Sequence, residues 1–307
     1  MEKILHKASV AASALAILTL LLASCGERDG YYSDAEYIMF ADTAKAYAVL
    51  NDGSYINVPV VATTVCDHDR VVGVEIIDSE STAVESLHYT VESNTLVIPA
   101  GSNRADLHVK GLYDHLDAGK NLSITLELII PDEKEFGIYG RRTRVELVKC
   151  CPFDINQFTG WCVFSSTFLQ SFSITGGYQR LVRTEVYPNK PNTIICRNLF
   201  KQGYDVTLTF HPEDPLNPLV TLEEGQTASD EASFFGTVHG DNRIRVRTSA
   251  MSPSYFYSCG SYLFVWMEMY VKDLSETVGT VGHFYNVLEW ISDEEMESLR
   301  NQGMPIE

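Results

Sequence analysis

Positive charge is scarce in this sequence. Twenty-three lysines and arginines stand against 41 aspartates and glutamates, a formal net charge of −18 over 307 residues. Such a balance repels phosphate backbones and anionic lipid, which excludes nucleic acid as a partner. The short motifs of nucleotide and hydrolytic chemistry are missing too: there is no P-loop, GxGxxG, GxSxG or HExxH. Strand and helix patterns do not alternate as a dinucleotide fold requires. No pair of cysteines is spaced CxxC, and none sits with a histidine at metal-ligand spacing, so neither a zinc nor a redox motif is present. One long apolar run occurs, Ala8 to Ala23, and its 16 residues fall short of a membrane span, which takes roughly 20. Charged residues make up 21 % and aromatics 11 %, the balance of a globular chain.

The apolar run has a telling context. Lys3, His6 and Lys7 precede it, and Leu22-Ala23-Ser24-Cys25 closes it. A basic start, an apolar middle and a small-residue exit describe a secretory signal. With Leu22 three positions before the cysteine and Ala23 and Ser24 between, the exit resembles the bacterial lipobox. That resemblance implies cleavage before Cys25 and lipidation of Cys25 itself; a plain signal peptide with an incidental cysteine is the alternative. Two or more acyl chains hold a protein on a membrane stably. Residues 1–24 are therefore expected to be a lipoprotein signal peptide, and residues 25–35 the lipidated cysteine with its tether. Gly26-Glu27-Arg28-Asp29-Gly30 is polar and glycine-rich, as a flexible tether is. Its acidic residues look like the surface-export signals of Bacteroidetes lipoproteins. Together these imply an outer-membrane, lipid-anchored, cell-surface location, with a periplasm-facing anchor as the alternative and the membrane partner reached through the N-terminal lipid.

Residues 36–150 read as a first domain. Apolar residues recur with period two between turn signals. Leu122, Ile124, Leu126, Leu128 and Ile130 alternate with Ser123, Thr125 and Glu127, the clearest strand in the chain. Val72, Val74 and Ile76 alternate likewise, and Pro59 within Tyr55–Val61 predicts an edge strand or a bulge. Short strands at this spacing predict a β-sandwich. Ser81-Thr82-Ala83, His88-Tyr89-Thr90, Thr95-Leu96-Val97-Ile98-Pro99-Ala100-Gly101 and Leu107-His108-Val109 are together similar to the Calx-beta signature, an immunoglobulin-like domain. The sequence also looks like uncharacterised Bacteroidetes outer-membrane lipoproteins with such a domain at the N-terminus. The resemblance implies calcium as the one cofactor to consider, held by Asp67-His68-Asp69 and Asp132-Glu133-Lys134-Glu135. Two departures weigh against it: His88 stands where the family has an acid before Tyr89, and Lys134 interrupts the second loop. Calcium wants six to eight oxygens. The expectation is no cofactor, with calcium as the alternative, and no metal residue is assigned.

Cys150-Cys151-Pro152-Phe153-Asp154 breaks the strand pattern, and residues 158–291 form a second β domain. Tyr204, Val206, Leu208 and Phe210 alternate with Asp205, Thr207 and Thr209. Tyr262 to Val271 is apolar on both faces except for Glu268, the mark of a central strand. Residues 292–307 hold a short C-terminal helix and tail. Ser292 is placed to cap it, Glu295 lies three residues on, and Gly303 then Pro305 stop it. The fold class is all-β: two tandem antiparallel β-sandwich domains, the first immunoglobulin-like, after a lipoprotein signal peptide. Cys66, Cys150, Cys151, Cys162, Cys196 and Cys259 can be buried thiols or form disulfides in an exported protein, and their pairing is open.

No catalytic residue is assigned, and the protein is expected not to be an enzyme. Glu268 in its apolar strand is either an acid with a raised pKa or a satisfied or edge-facing residue. The row Arg243, Arg245, Arg247 faces either an anionic ligand or solvent. Aromatic residues are the ligand-binding candidates: Tyr255 and Tyr257, expected in or beside a loop, and Trp161. Sugar rings stack on exposed aromatic faces through their C–H surfaces, while Tyr and Trp keep a polar handle. The resemblance to Bacteroidetes surface lipoproteins implies a surface-anchored, non-catalytic accessory glycan-binding protein of a polysaccharide-uptake system. Its partners would be polysaccharide or outer-membrane transporter proteins. The alternative is a structural or adhesive surface protein making protein–protein contacts.

Overall fold

The structure, a computed structural model, describes residues 36–172, 177–235, 240–273, 275 and 277–306. Cys25, the signal segment and the tether lie outside the described residues. No helix among the described residues is long and apolar enough to cross a membrane.

The protein is all-β in two units. In the first, β1 (Ile38–Phe40), β3 (Ile56–Ala62), β7 (Arg104–Gly111) and β5 (Tyr89–Val91) form one sheet. The facing sheet has the order β2 (Ala44–Val49), β9 (Arg142–Lys149), β8 (Leu122–Ile129), β4 (Arg70–Ile76), β6 (Thr95–Ile98). Their inner faces bury Val58, Val60, Val72, Val74, Ile98, Leu107, Val109, Ile124, Leu126 and Leu128 in one core. This is the immunoglobulin-like sandwich that the period-two pattern predicts. One pair departs from antiparallel order: β2 runs parallel to β9, Ala44 opposite Arg144 through Val49 opposite Lys149. Pro59 lies in a strand with neighbours on both sides, yet β1 reaches only Val60. The Pro59 carbonyl still accepts from Ala41 N at 2.9 Å just past β1, so the missing N–H falls where that pairing ends and costs little.

The second unit closes on itself. β10 (Gly160–Ser166), β11 (Gln179–Val186), β12 (Thr193–Lys201), β13 (Tyr204–His211) and β14 (Leu219–Leu222) pair in succession. β17 (Tyr255–Tyr257) continues the sheet to β18 (Tyr262–Lys272), which pairs with β19 (Val278–Trp290), and β19 returns to β10. The opposite walls of the sandwich expected here are one sheet joined at both edges, a barrel without free edges among these strands. β15 (Gln226–Ser229) and β16 (Ile244–Thr248) attach along the far half of β18. Side chains fill the interior. Cys162, Phe164, Val182, Ile194, Cys196, Val206, Leu208, Val246, Leu263, Val265, Met267 and Leu288 are buried there in one cluster.

Aromatic rings plug both ends. At the end facing the first unit, Phe158 contacts Phe153, Phe210, Phe256 and Trp290, with centroids 4.7 to 6.0 Å away. At the other end Phe168 contacts Phe172, Phe200 and Phe284. Phe168 and Phe172 ride on α1 (Thr167–Phe172), a helix absent from the sequence reading. Ser166 Oγ accepts from the amides of Phe168 and Leu169 and so caps it. The C-terminal helix α2 (Asp293–Asn301) follows the sequence reading: Ser292 Oγ accepts from Glu295 N, and Gly303 takes a φ of +94° at the stop.

Candidate functional site

Tyr255 and Tyr257 lie on a strand, not in a loop. Strand β17 pairs Tyr255 with Phe264, Phe256 with Leu263 and Tyr257 with Tyr262. Successive side chains on a strand point to opposite faces. Phe256 enters the barrel core, and both tyrosines therefore stand on the outer wall. Their neighbours on β18 obey the same rule: Leu263, Val265 and Met267 face inward, Tyr262, Phe264 and Trp266 outward. Rings meet across the strands, with centroids 5.1 Å apart for Tyr255–Phe264 and for Tyr257–Tyr262.

These rings form one wall of a cleft of about 390 Å³ at the joint between the two units. Tyr255, Tyr257, Tyr262 and Phe264 line it from the barrel. Val148, Lys149 and Cys150 line it from the end of β9, and Pro215 to Leu219 from the β13–β14 loop. Tyr255 is 45 % exposed, so its ring is open to a ligand. The Tyr257 hydroxyl is buried without a hydrogen-bond partner. It points toward the first unit, where a Cβ on Gly119 would stand 3.6 Å from it. Gly119 has a φ of +80°, a conformation open to glycine at little cost, and this lets its turn approach the tyrosine. Burial pushes the Tyr257 pKa up, with smaller contributions from Tyr262 and Cys150.

A disulfide fixes the joint. Cys151, just past β9, bonds to Cys259 in the β17–β18 turn. Ser258 Oγ donates to the Cys151 carbonyl at 2.9 Å, and the Tyr113 hydroxyl donates to Cys151 Sγ at 3.4 Å. Among the four free thiols of the described residues, Cys150 is buried beside the cleft, and burial pushes its pKa up to about 11, with a smaller contribution from Asp214. Cys162 and Cys196 are interior to the barrel, and burial raises both. A protonated thiol neither attacks a disulfide nor binds metal well.

Trp161 stands apart from the two tyrosines. It sits on the outer face of β10, two strands from β18, under the Arg183 guanidinium at 5.7 Å from its ring. Trp290 donates from Nε1 to Thr184 Oγ1 and packs on Phe158 as part of the barrel core. The sequence reading missed Tyr262 and Phe264 as cleft residues; their signal was the alternation within Tyr262–Val271, legible only once the inward face is known.

Glu268 is a satisfied ion pair. It is 7 % exposed, accepts from Arg247 Nε at 2.9 Å and Arg247 Nη2 at 3.0 Å, and accepts from Thr280 Oγ1 at 2.9 Å. The Arg247 hydrogen bonds hold its pKa below the usual carboxylate range, which overturns the raised-pKa alternative. Arg247 also donates to Glu224, and Asp241 takes Arg243 and Arg245. The arginine row is thus neutralised by acids and does not form an anion site. Ser249 Oγ shares a hydrogen bond with His283 Nδ1 at 2.9 Å. Glu268, opposite His283 on β18, is taken by Arg247 and Thr280.

The second of the two candidate calcium loops is occupied by cations of the protein itself. Arg141 donates to Asp132 and Glu135, and Lys134 reaches Glu36. Asp69 accepts from Ala100 N, and Asp67 pairs with His68. Among the described residues no cluster of three His, Cys, Asp or Glu side chains could hold a metal. The donor set does not fit calcium.

An immunoglobulin-like sandwich and a closed barrel, joined at a disulfide-fixed aromatic cleft, define a two-domain all-β protein. The chain belongs to the family described as a domain of unknown function, DUF4984, whose model matches residues 138–302. That span holds β9, both bonded cysteines and every cleft residue named above. No curated protein matches the chain. Among solved structures it is similar to the apo-form CBD1 domain of Calx, at 16 % identity and TM-score 0.31, over 38 % of this chain and 98 % of that one. It is also similar to a protein of unknown function from Bacteroides ovatus, at 13 % identity and TM-score 0.32, covering 82 % of this chain and 89 % of that one. A multidomain protein including DUF1735, from Bacteroides ovatus, is similar at 14 % identity and TM-score 0.32, over 82 % and 92 %.

Proposed function

We propose that this chain is a non-catalytic, lipid-anchored protein of the outer-membrane surface that captures glycan as an accessory to polysaccharide uptake. The carrying observation is the cleft lined by the rings of Tyr255, Tyr257, Tyr262 and Phe264, with Tyr255 45 % exposed. Aromatic walls with hydroxyl rims suit a sugar ring, which is apolar on its C–H faces and polar at its edge. Lipidation at Cys25 rests on the Leu22-Ala23-Ser24-Cys25 sequence. Membership of a Bacteroidetes lipoprotein family rests on that sequence together with the Calx-beta-like pattern. The test is electrophoresis of the full chain in detergent through gels cast with neutral polysaccharides. Retardation that Tyr255→Ala reduces supports the reading; unretarded migration in every gel sinks it.

A structural or adhesive role is the second reading, favoured by one feature. Val71, Val97 and Ile129 are exposed together on the outer face of β4, β6 and β8, Val71 directly opposite Val97. A stable protein partner recovered through that face, with no glycan effect, would support it.

A further inference from the structure

The cleft rings do not end at the cleft. Three strands in register carry aromatic residues along the outer wall. Tyr262, Phe264 and Trp266 alternate along β18; Tyr257 and Tyr255 stand opposite the first two on β17, and Tyr285 stands opposite Trp266 on β19. Contacts are continuous: Tyr262–Phe264 at 5.3 Å, Phe264–Tyr285 at 5.8 Å and nearly parallel, Trp266–Tyr285 at 5.4 Å. Trp266 and Tyr285 are only half-buried and lie beyond the cleft lining. Four residues of strand separate Tyr262 from Trp266, about 14 Å at the usual strand rise. That is about the length of three linked sugars. The row then turns polar. His283 faces out two residues before Tyr285, opposite Glu268, and its Nδ1 is taken by Ser249, which leaves Nε2 for a ligand hydroxyl.

We infer that this row is a binding track for a linear, neutral glycan several sugars long, with one end seated in the cleft and the chain running over Phe264, Tyr285 and Trp266 toward His283. This deepens the proposed function and rests on it. Length follows from the extent of the aromatic row, since a single sugar would use the cleft alone. Neutrality follows from charge: with 41 acidic against 23 basic residues, a polyanionic chain is repelled. Arg247 is bound by Glu268 and Glu224, which leaves Lys149, held by the Leu116 carbonyl, as the one cation among the described residues of the cleft lining against this acidic balance. Each added stacking contact contributes independently, so affinity grows with chain length until the row is covered.

Calorimetric titration of the full chain in detergent with cello-, laminari- and malto-oligosaccharides of one, three and six sugars tests this. In a series that binds, affinity should rise by about tenfold or more from the single sugar to the hexamer. Trp266→Ala and, separately, Tyr285→Ala should lower trimer and hexamer affinity toward the single-sugar value and leave single-sugar binding unchanged. Tyr257→Ala should weaken single sugar, trimer and hexamer alike. Equal affinity for one and six sugars, or a hexamer affinity indifferent to both Trp266→Ala and Tyr285→Ala, overturns the track while leaving glycan capture by the cleft standing. No heat with any oligosaccharide overturns both. Circular dichroism melts of the two variants separate loss of binding from loss of fold.

Discussion

Cys151 and Cys259 are bonded across 108 residues, and the bond holds the peptide leaving the sandwich against the turn that follows Tyr255 and Tyr257. Cross-linking a chain restricts its unfolded ensemble, by about 4 to 5 kcal/mol for a loop of this size in the chain-entropy view. Cys151→Ser paired with Cys259→Ser is expected to lower the stability measured by denaturant titration by up to that amount. Peptide mapping of the oxidised protein without reductant should recover Cys151 linked to Cys259 and Cys150 as a free thiol, because a thiol with its pKa near 11 exchanges slowly at neutral pH. Recovery of Cys150 linked to Cys259 in comparable yield would contradict this.

Glu268 ties stability to acid. Its pKa is lowered in the folded protein, from an ordinary value of 4.5, first by the Arg247 hydrogen bonds. A group whose folded pKa is depressed stabilises above its unfolded pKa, and that contribution is lost as pH falls through the folded value. Stability should therefore fall below about pH 4.5, and Glu268→Gln should flatten that part of the profile. At neutral pH the variant is expected to lose about 2 kcal/mol, less than a fully buried broken pair, because Arg247 keeps Glu224 and partial contact with water. Urea melts from pH 7 down to pH 3 would check both. A variant whose acid slope equals that of the unsubstituted protein would refute the assignment.

Calcium is expected to leave the melting temperature unchanged, and chelator likewise. Arg141 already neutralises Asp132 and Glu135, and Lys134 is drawn to Glu36. A ligand that binds the folded state raises its apparent stability, so a calcium-dependent rise in a thermal scan would show a site that these ion pairs do not account for.

Local rules carried much of the fold. Leu122 to Ile130 alternates, and Ile124, Leu126, Leu128 and Ile130 are buried; Ser292 with Glu295 marks the start of α2 as a capping box should. What resisted reading depends on residues far apart. Nothing near Cys162 announces Trp290 as its strand partner, and that pairing makes a barrel out of what reads as a sandwich. The same holds for Cys151 and Cys259, whose proximity follows from the barrel's closure. Helix α1 was concealed by shortness. Its six residues give one apolar repeat, Phe168 and Leu169 then Phe172, too brief to separate from a strand without knowing that Ser166 turns to cap it. At the cleft, Tyr255 and Tyr257 stand out as exposed-looking aromatics. Tyr262 and Phe264 do not, because β18 is apolar on both faces, and only the barrel decides which face is outside.

The bond at the joint also sets a mechanical route. Cys259 lies two residues beyond Tyr257, and Cys151 two beyond the end of β9. A pull between the sandwich and an occupant of the cleft travels along β17, crosses one covalent bridge and enters β9 directly. The chain between the two cysteines, with strands β10 to β16, is off that route. Tension on a captured ligand would load a hairpin and the sandwich, while most of the barrel stays slack.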